Sequence, residues 1–195
     1  MFDTINLEIY FSKIAELGWA VVPLDLSFAE QLKNELENKK KLNLFKPASL
    51  AGAMTEKTIR NDLTCWIDEN QSSEVESKLL QNLKRLQEQL KNYFRIALTH
   101  FEVHYALFSF FHFYHKHTDQ KANNNHRFFS FVIYLNKNWN PDQKGRLLVY
   151  DKNDTVQFQM APEFGQMILF RSDLLHEVEI SRAERQSITG WIRTS

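Results

Sequence analysis

A chain of 195 residues, 43% of them hydrophobic, is predicted to form one packed domain over residues 1–195. Because 24 basic residues balance 24 acidic ones, no overall field attracts nucleic acid, and no apolar run is long enough to cross a membrane. The single cysteine, Cys65, and a start without a basic and apolar leader pattern fit a cytoplasmic location.

The first half of the chain, residues 1–99, is predicted to be a helix-rich support. Helical spacing of apolar residues predicts helices over residues 6–17, from an N-cap at Ser27 to about residue 40, and over 73–98. Gly18 is predicted to end the first helix, and Glu30 to complete a capping box with Ser27. Strands are predicted over residues 19–24 and 63–67, and the segment 42–60 is predicted to be irregular.

The second half, residues 100–195, changes to short β runs separated by loops rich in Asn, Pro, Asp and Gly. Many short strands with turn signals indicate a sandwich or barrel. We therefore predict an α+β fold, a double-stranded β-helix (jelly roll) with the N-terminal helices packed on one face. The predicted strands cover residues 101–108, 110–117, 127–135, 147–151, 156–160, 166–171, 176–180 and 186–193.

A candidate metal site is formed by His117 and Asp119 together with His176. Side chains two apart on a strand point to the same side, so His117 and Asp119 are predicted to reach one ion, and His176 to join them from a neighbouring strand. Two imidazoles and one carboxylate are the ligand set of non-heme Fe(II) oxygenases, which leaves coordination positions open. This pattern indicates an iron enzyme that activates O2.

A second ligand set uses His115 with His117, and His112 as a further candidate. Strand alternation places His115 on the same face as His117, so the spacing alone leaves this set open. It would omit Asp119 and would suit a dioxygenase without a keto-acid co-substrate, or an isomerase.

Arg185 follows the second histidine and is a candidate carboxylate ligand, because its planar guanidinium can bind a carboxylate through two parallel hydrogen bonds. Buried arginine needs an anion. Arg182 and Arg193 compete for the same role, although Arg193 is close to the C-terminus, where exposure is expected.

The order of these residues resembles the 2-oxoglutarate/Fe(II)-dependent dioxygenases, and among them the prolyl hydroxylase branch, which includes the hypoxia-sensing enzymes and their bacterial relatives. The resemblance covers most of the chain, and YLNxxW and the HEV…R…TGW ending are its specific elements. The matching stretches are IRND at 59–62, Trp66, FYHKHTD at 113–119, YLNKNW at 134–139, PEFG at 162–165, FRSD at 170–173, HEV at 176–178 and RQSITGW at 185–191.

The resemblance implies roles for individual residues. It implies that His117, Asp119 and His176 bind Fe(II) as metal ligands, and that they act with Arg185 in catalysis. Cofactor binding is assigned to three residues around the distal carboxylate of the co-substrate 2-oxoglutarate: Arg185, Tyr134 and Thr189. Substrate contacts are assigned to a salt-bridged pair and to a segment over the substrate: Arg127 with Asp62, and Arg60.

The implied activity is hydroxylation of a prolyl residue in a protein or peptide, with release of succinate and CO2, and ascorbate is a further candidate cofactor. A small-molecule hydroxylase and a non-catalytic jelly-roll binding module are the alternatives. Demethylation of nucleic acid is disfavoured by the zero net charge. The chain departs from the family at 108–112, which has no YPxG, and at Lys144-Gly145, where relatives have Gly-Gly.

Overall fold

The computed structural model describes residues 6–48, 59–120 and 126–194. Three α-helices lie within these residues: α1 over Glu8–Leu17, α2 over Leu26–Lys41 and α3 over Glu74–Phe94. The helices occur where the sequence predicts them, and all three belong to the N-terminal half. Of the segment predicted to be irregular, residues 49–58 lie outside the described residues.

The helix ends differ from the predictions in two places. Gly18 ends α1 as predicted, in a left-handed conformation with φ 91°. The predicted capping box of Ser27 and Glu30 is wrong, because the Asp25 side chain accepts the hydrogen bond from Phe28 N and caps α2. Helix α3 stops earlier than predicted, at Arg95, whose left-handed backbone (φ 56°) interrupts the helical hydrogen bonds.

Eleven strands are formed by the described residues. The predicted run over residues 110–117 is shorter than expected, since only its end is extended, and the two-residue strand at Lys46–Pro47 lies in the segment predicted to be irregular. The other strands match their predictions within two residues. The strands are β1 Trp19–Pro23, β2 Lys46–Pro47, β3 Leu63–Trp66, β4 His100–Phe108, β5 Tyr114–His117, β6 Arg127–Tyr134, β7 Leu147–Tyr150, β8 Val156–Met160, β9 Gln166–Arg171, β10 His176–Val178 and β11 Arg185–Arg193.

Two antiparallel sheets built from the described residues face each other. The major sheet has the strand order β1-β9-β6-β11-β4-β3-β2, and the minor sheet has the order β5-β10-β7-β8. This is the predicted double-stranded β-helix with helices on one face. Strands β1 and β3 come from the N-terminal half and extend the major sheet, so residues 1–99 contribute to the barrel as well as to its support.

The major sheet separates two apolar clusters. The leucine stripe of α3 packs on one face of the sheet, as its helical spacing predicts. The other face meets the minor sheet around Phe108, Tyr134 and Phe170. Because side chains alternate along a strand, each central strand contributes to both clusters. No helix among the described residues is long and apolar enough to cross a membrane.

Gly190 in the middle of β11 is required by close packing within the major sheet. A Cβ atom there would lie 2.2 Å from the backbone oxygen of Glu102 and 2.6 Å from Cζ of Phe131. Strand β11 therefore passes β4 and β6 at a point where there is no room for a side chain. Its neighbours on the opposite face, Thr189 and Trp191, are thereby held in register toward the minor sheet.

Candidate active site

Three side chains meet where the minor sheet faces the major sheet. The ligand atoms of His117, Asp119 and His176 lie within 4.8 Å of one another, so the group could hold one metal ion. Nε2 of each histidine lies 3.6 Å from a carboxylate oxygen of Asp119. The two histidines are brought together by strand pairing, because His176 of β10 lies directly opposite His117 of β5.

Asp119 reaches this group by a different route from the one predicted. It lies beyond the end of β5 rather than on the strand, so the strand-alternation argument for the His117 and Asp119 pair is wrong. The chain bends after His117, and the backbone N–H of Asp119 donates a hydrogen bond of 3.0 Å to the oxygen of Ser172. This bond fixes the bend and directs the carboxylate toward both imidazoles.

Backbone oxygens orient the two imidazoles. Nδ1 of His117 lies 2.7 Å from the oxygen of His115, and Nδ1 of His176 lies 2.9 Å from the oxygen of Leu174. Since a backbone oxygen only accepts, each Nδ1 carries the proton, and each Nε2 keeps a lone pair directed at the shared point. The Tyr114 ring stacks on His117 with centroids 3.5 Å apart and limits its rotation.

The charge state of the group suits a metal. Burial alone would raise the pKa of Asp119, but the imidazoles of His176 and His117 and the hydroxyl of Ser130 outweigh burial and hold it well below its usual range. Burial and repulsion from His117 lower the pKa of His176 to about 4. At neutral pH the carboxylate is ionised and His176 is neutral, the forms that bind a metal.

The alternative ligand set is not assembled by the described residues. The side chain of His115 is exposed and rests on the Phe113 ring, 4.3 Å between centroids. His115 instead contributes its backbone oxygen, which orients His117. Neither His115 nor His112 belongs to the metal-compatible group found in the described part of the chain.

Arg185 is a buried cation without a carboxylate partner among the described residues. Its side chain is 3% exposed, and its Nε donates to the oxygen of Gly145 and its Nη1 to the Ser187 hydroxyl. Burial lowers the pKa of its guanidinium, because removal from water disfavours the charged form. The remaining N–H groups are free to bind an anion. The competing arginines do not reach this position, since Arg182 is exposed and Arg193 pairs with Glu102.

Tyr134 lies beside Arg185, and Thr189 lines the same cavity from further along β11. The guanidinium carbon of Arg185 is 5.1 Å from the centre of the fully buried Tyr134 ring. The Tyr134 hydroxyl has no hydrogen-bond partner among the described residues. The Thr189 hydroxyl donates to the oxygen of Phe131. An anion beside Arg185 would therefore find a second free donor in Tyr134.

The expected salt bridge between Arg127 and Asp62 is not formed. Asp62 is fully buried and accepts two hydrogen bonds, of 2.7 and 2.6 Å, from Arg60. Arg127 pairs with Glu102 at 2.7 Å and lies 3.6 Å above the ring of Trp191. The prediction fails because Glu102 of β4, in the same sheet as Arg127 of β6, pairs with Arg127, and Arg60 satisfies Asp62 locally. Arg60 and Asp62 nevertheless line the cavity that contains the metal-compatible group, whereas Arg127 does not.

One cavity joins the metal-compatible group to Arg185. Its volume, counted with the open mouth, is about 490 Å³, and its walls include Arg60, Asp62, Tyr114, Thr189 and Trp191 as well as His117, Asp119, His176 and Arg185. The metal-compatible group and the buried guanidinium of Arg185 therefore face the same cavity.

The two departures from the family pattern lie close to Arg185. Phe108 stands near the position of the expected tyrosine, and its ring lies 4.9 Å from the guanidinium carbon of Arg185. Phe111 follows in a left-handed conformation with φ 65°, which is strained for a bulky residue. Gly145, which also has a positive φ of 74°, lets its turn approach Arg185, because a Cβ there would lie 3.3 Å from Arg185 Cδ.

Sequence reasoning missed four polar residues around the site. The Ser130 hydroxyl donates a hydrogen bond of 2.6 Å to the Asp119 carboxylate, and it lies 2.8 Å from the Ser172 hydroxyl. Glu102 holds Arg127, and His104 is buried beside Trp66 and Trp191. The signal that could have found them is alternation, since Glu102 and His104 share the face of β4 that carries Ala106 and Phe108 toward the minor sheet.

The part of the chain that carries the site is similar to a known protein family. Residues 103–193 match the family model described as the 2OG-Fe(II) oxygenase superfamily. This stretch contains all three members of the metal-compatible group and Arg185. A search of curated proteins found no match.

Solved structures of prolyl hydroxylases are similar to this chain. A prolyl-4-hydroxylase from Pseudomonas putida is 28% identical, with 97% of this chain and 99% of that chain covered and a TM-score of 0.88. A Trichoplax adhaerens prolyl hydroxylase, solved with a hypoxia inducible factor peptide, is 24% identical, covering 95% and 88%, with a TM-score of 0.83. A Phytophthora capsici prolyl 4-hydroxylase is 19% identical, covering 96% and 62%, with a TM-score of 0.79.

The last two likenesses concern the fold, whereas the family match concerns the stretch that carries the site. This superfamily uses Fe(II) and 2-oxoglutarate, and the described residues provide both a metal-compatible group and a buried unpaired cation in one cavity. Residues 103–193 are therefore similar to the 2OG-Fe(II) oxygenase superfamily, and the chain as a whole is similar in structure to a prolyl-4-hydroxylase, with the double-stranded β-helix fold.

Proposed function

We propose that this protein is a 2-oxoglutarate- and Fe(II)-dependent dioxygenase that hydroxylates a prolyl residue of a protein or peptide. One observation carries the proposal: a buried arginine without a carboxylate partner among the described residues shares a cavity with a two-histidine, one-aspartate group. A purely structural jelly roll gains nothing from leaving a buried cation unpaired.

In this proposal His117, Asp119 and His176 hold Fe(II). The lone pairs on Nε2 of both histidines and the ionised carboxylate of Asp119 are the donors. When bound, the iron supplies the activation of O2, coupled to decarboxylation of 2-oxoglutarate into succinate and CO2. Ser130 and the Asp119 backbone bond keep the carboxylate in place, and the apolar cavity walls exclude bulk water from the site.

The co-substrate is bound by three residues in this proposal. The free N–H groups of Arg185 pair with the distal carboxylate of 2-oxoglutarate in bidentate fashion. The unpartnered hydroxyl of Tyr134 donates a further hydrogen bond to the same carboxylate, and Thr189 lines the space beside it. Charge neutralisation of Arg185 by the bound dianion removes the burial penalty that lowers its pKa.

A groove beside the cavity mouth favours a chain-like substrate over a small molecule. Its volume, counted with its open side, is about 2230 Å³, and it shares Arg60, Tyr114 and Trp191 with the cavity. Arg127 also lines this groove. We propose that Arg60 and Arg127 contact the substrate there, and that Asp62 takes part by holding Arg60 in place. A peptide is bound in the complex of the Trichoplax adhaerens relative, which is consistent with a substrate of this kind.

The remaining assignments stay predictions that accompany this proposal. They are the requirement for ascorbate, the cytoplasmic location and the organisation of residues 1–195 as a single domain with the support and core divided near residue 99.

The test uses purified full-length protein with Fe(II), 2-oxoglutarate, O2 and a library of short peptides, each with one central proline. We expect succinate formation to rise with peptide and the modified peptides to gain the mass of one oxygen atom on proline. Oxidation of free proline or another small molecule in preference to every peptide would favour the small-molecule hydroxylase. Iron-loaded protein that forms no succinate under any condition would contradict the enzymatic assignment and favour a binding module.

A further inference from the structure

His104, in the middle of β4, is a buried imidazole that the proposed iron and 2-oxoglutarate sites do not use. Its side chain is 1% exposed, and both ring nitrogens lack a hydrogen-bond partner among the described residues. Burial, reinforced by the charges of Arg60 and Arg127, lowers its pKa to about 3. The ring is therefore neutral at physiological pH and offers one N–H donor and one acceptor nitrogen. Such an unsatisfied buried group destabilises the folded state, so it calls for a ligand that satisfies it.

Two tryptophans cover the imidazole. The Trp66 ring centroid lies 4.6 Å from the His104 ring, and that of Trp191 lies 5.5 Å away. Trp191 is buried, but Trp66 is 56% exposed. The Trp66 indole, at the end of β3, belongs to neither buried apolar cluster, so a change of its rotamer would leave both clusters in place. Rotation of the Trp66 side chain would open the His104 nitrogens to the groove.

The groove that His104 and Trp66 line leads to the proposed iron site. His104 lies opposite Trp66 of β3 and opposite Thr189 of β11 in the strand register. Thr189 and Trp191 line the cavity that contains the metal-compatible group, whereas His104 and Trp66 line the adjoining groove. A chain with its reacting residue in the cavity would therefore pass His104 with a neighbouring residue.

The chemistry of the imidazole restricts what it can recognise. A neutral ring that both donates and accepts is matched by an amide group, which has an N–H and a carbonyl oxygen. A prolyl residue has no backbone N–H, so the matching N–H must come from a residue beside it. The nearby cations, Arg60 and Arg127, are paired with Asp62 and Glu102, so neither offers an unpaired charge at this position.

We propose that His104 is a specificity-determining residue of the hydroxylation: when Trp66 turns outward, the imidazole hydrogen-bonds the backbone amide of a substrate residue that flanks the reacting proline. This inference rests on the proposed function. It assigns recognition of the substrate main chain to a residue outside the iron and co-substrate sites.

The experiment compares the wild-type enzyme with His104→Phe, which keeps an aromatic ring and removes both nitrogens. The probe is the best peptide of the proline-centred library. We expect its KM to rise about tenfold, as for the loss of one buried hydrogen bond, while the KM for 2-oxoglutarate stays unchanged. We also expect an equal or higher Tm, because the variant no longer buries unpaired nitrogens. A structural role would instead lower Tm and affect both KM values.

Two further variants and one modified peptide complete the design. His104→Gln restores a donor and an acceptor and should recover part of the lost affinity. His100→Phe, an exposed histidine on the same strand, should behave as wild type. N-methylation of one flanking amide should raise the KM of the wild-type enzyme about tenfold and leave that of His104→Phe nearly unchanged, since the bond is already absent.

The outcomes separate this inference from the proposed function. If the wild-type enzyme modifies no peptide, the proposed function and this inference both fail. If it modifies peptides and His104→Phe shows an unchanged KM, only the role of His104 is overturned. Equal sensitivity of both enzymes to every N-methylated peptide would likewise overturn it. Should His104→Phe not fold, His104→Leu, which also lacks both nitrogens, takes its place in the same two comparisons with the same deciding results.

Discussion

The two faces of the major sheet bury different kinds of side chain. On the helix face, residues of β4, β6 and β11 pack under the leucines of α3 in an apolar cluster. A charged group buried there is paired, since Glu76 forms an ion pair of 3.0 Å with Lys39, next to the Tyr105 ring. The cavity face of the same strands buries Arg185 without a carboxylate partner and His104 without a hydrogen-bond partner among the described residues.

This difference separates stability from function within single strands. Alternate residues of one strand either fill a core or line a cavity, because side chains alternate across the sheet. On the helix face the buried side chains are mostly apolar and the buried charge of Glu76 is paired, although the Tyr105 hydroxyl lacks a hydrogen-bond partner among the described residues. On the cavity face the unsatisfied groups await a ligand, and their burial costs about 1–3 kcal/mol each in its absence. Substitutions on the two faces should therefore have opposite consequences for stability and activity.

The largest effect is expected for Asp119→Ala on the cavity face. Loss of the only carboxylate in the metal-compatible group of the described residues should lower turnover by at least roughly a thousandfold and weaken Fe(II) binding, because a metal ligand and its charge are removed. Succinate formation and iron content measure these effects. Exposed Asp142→Ala is the matched control. Full turnover with full iron content in Asp119→Ala would defeat the proposed ligand set.

Leu83→Ala on the helix face should show the opposite profile. Leu83 is fully buried in the cluster under α3, and its truncation should lower the free energy of unfolding by about 2–5 kcal/mol. The KM for 2-oxoglutarate should stay as in the wild type at temperatures where the variant is folded. Lys84→Ala, at the exposed adjacent position, should change stability by less than about 0.5 kcal/mol. A changed KM with unchanged stability would break the distinction between the two faces.

Arg185→Ala should act on co-substrate affinity. Removal of the buried guanidinium should raise the KM for 2-oxoglutarate about 30-fold, a loss of roughly 2 kcal/mol for a charge-assisted contact, while Fe(II) binding is retained. Steady-state kinetics with varied 2-oxoglutarate measure the effect. Arg182→Ala provides the control, since that side chain is exposed nearby. An unchanged KM in Arg185→Ala would remove this residue from the co-substrate site.

The smallest effect concerns acid stability. The pKa of His104 falls from the ordinary 6.5 to about 3 in the folded protein, so between these values the unfolded chain binds a proton that the folded protein does not. Stability should therefore be lost as pH falls from about 6.5 toward 3. Tm measured across this range should fall less steeply for His104→Phe than for wild type or His100→Phe. Parallel curves for all three proteins would show that His104 is not buried as described.

Local patterns predicted most elements and missed some of their ends. The leucine spacing of α3 and the alternating β runs placed the helices and most strands correctly. The N-cap of α2 was misplaced because Asp25 and Ser27 are both good caps, and only the path of the chain selects one. Similarly, spacing alone predicted Asp119 on a strand, whereas a hydrogen bond to Ser172, distant in sequence, determines its bend.

The sequence by itself determined the jelly-roll class and offered the donor types of the site, because these depend on residue chemistry and on periods of two and of three to four residues. It left Arg182 and Arg193 as competitors of Arg185. Only the tertiary structure decided which acid holds Arg127, that His115 turns outward while His117 turns inward, and that His104 is buried without a partner among the described residues. Those outcomes depend on which side chains, remote along the chain, arrive within hydrogen-bonding distance, and no local pattern contains that information.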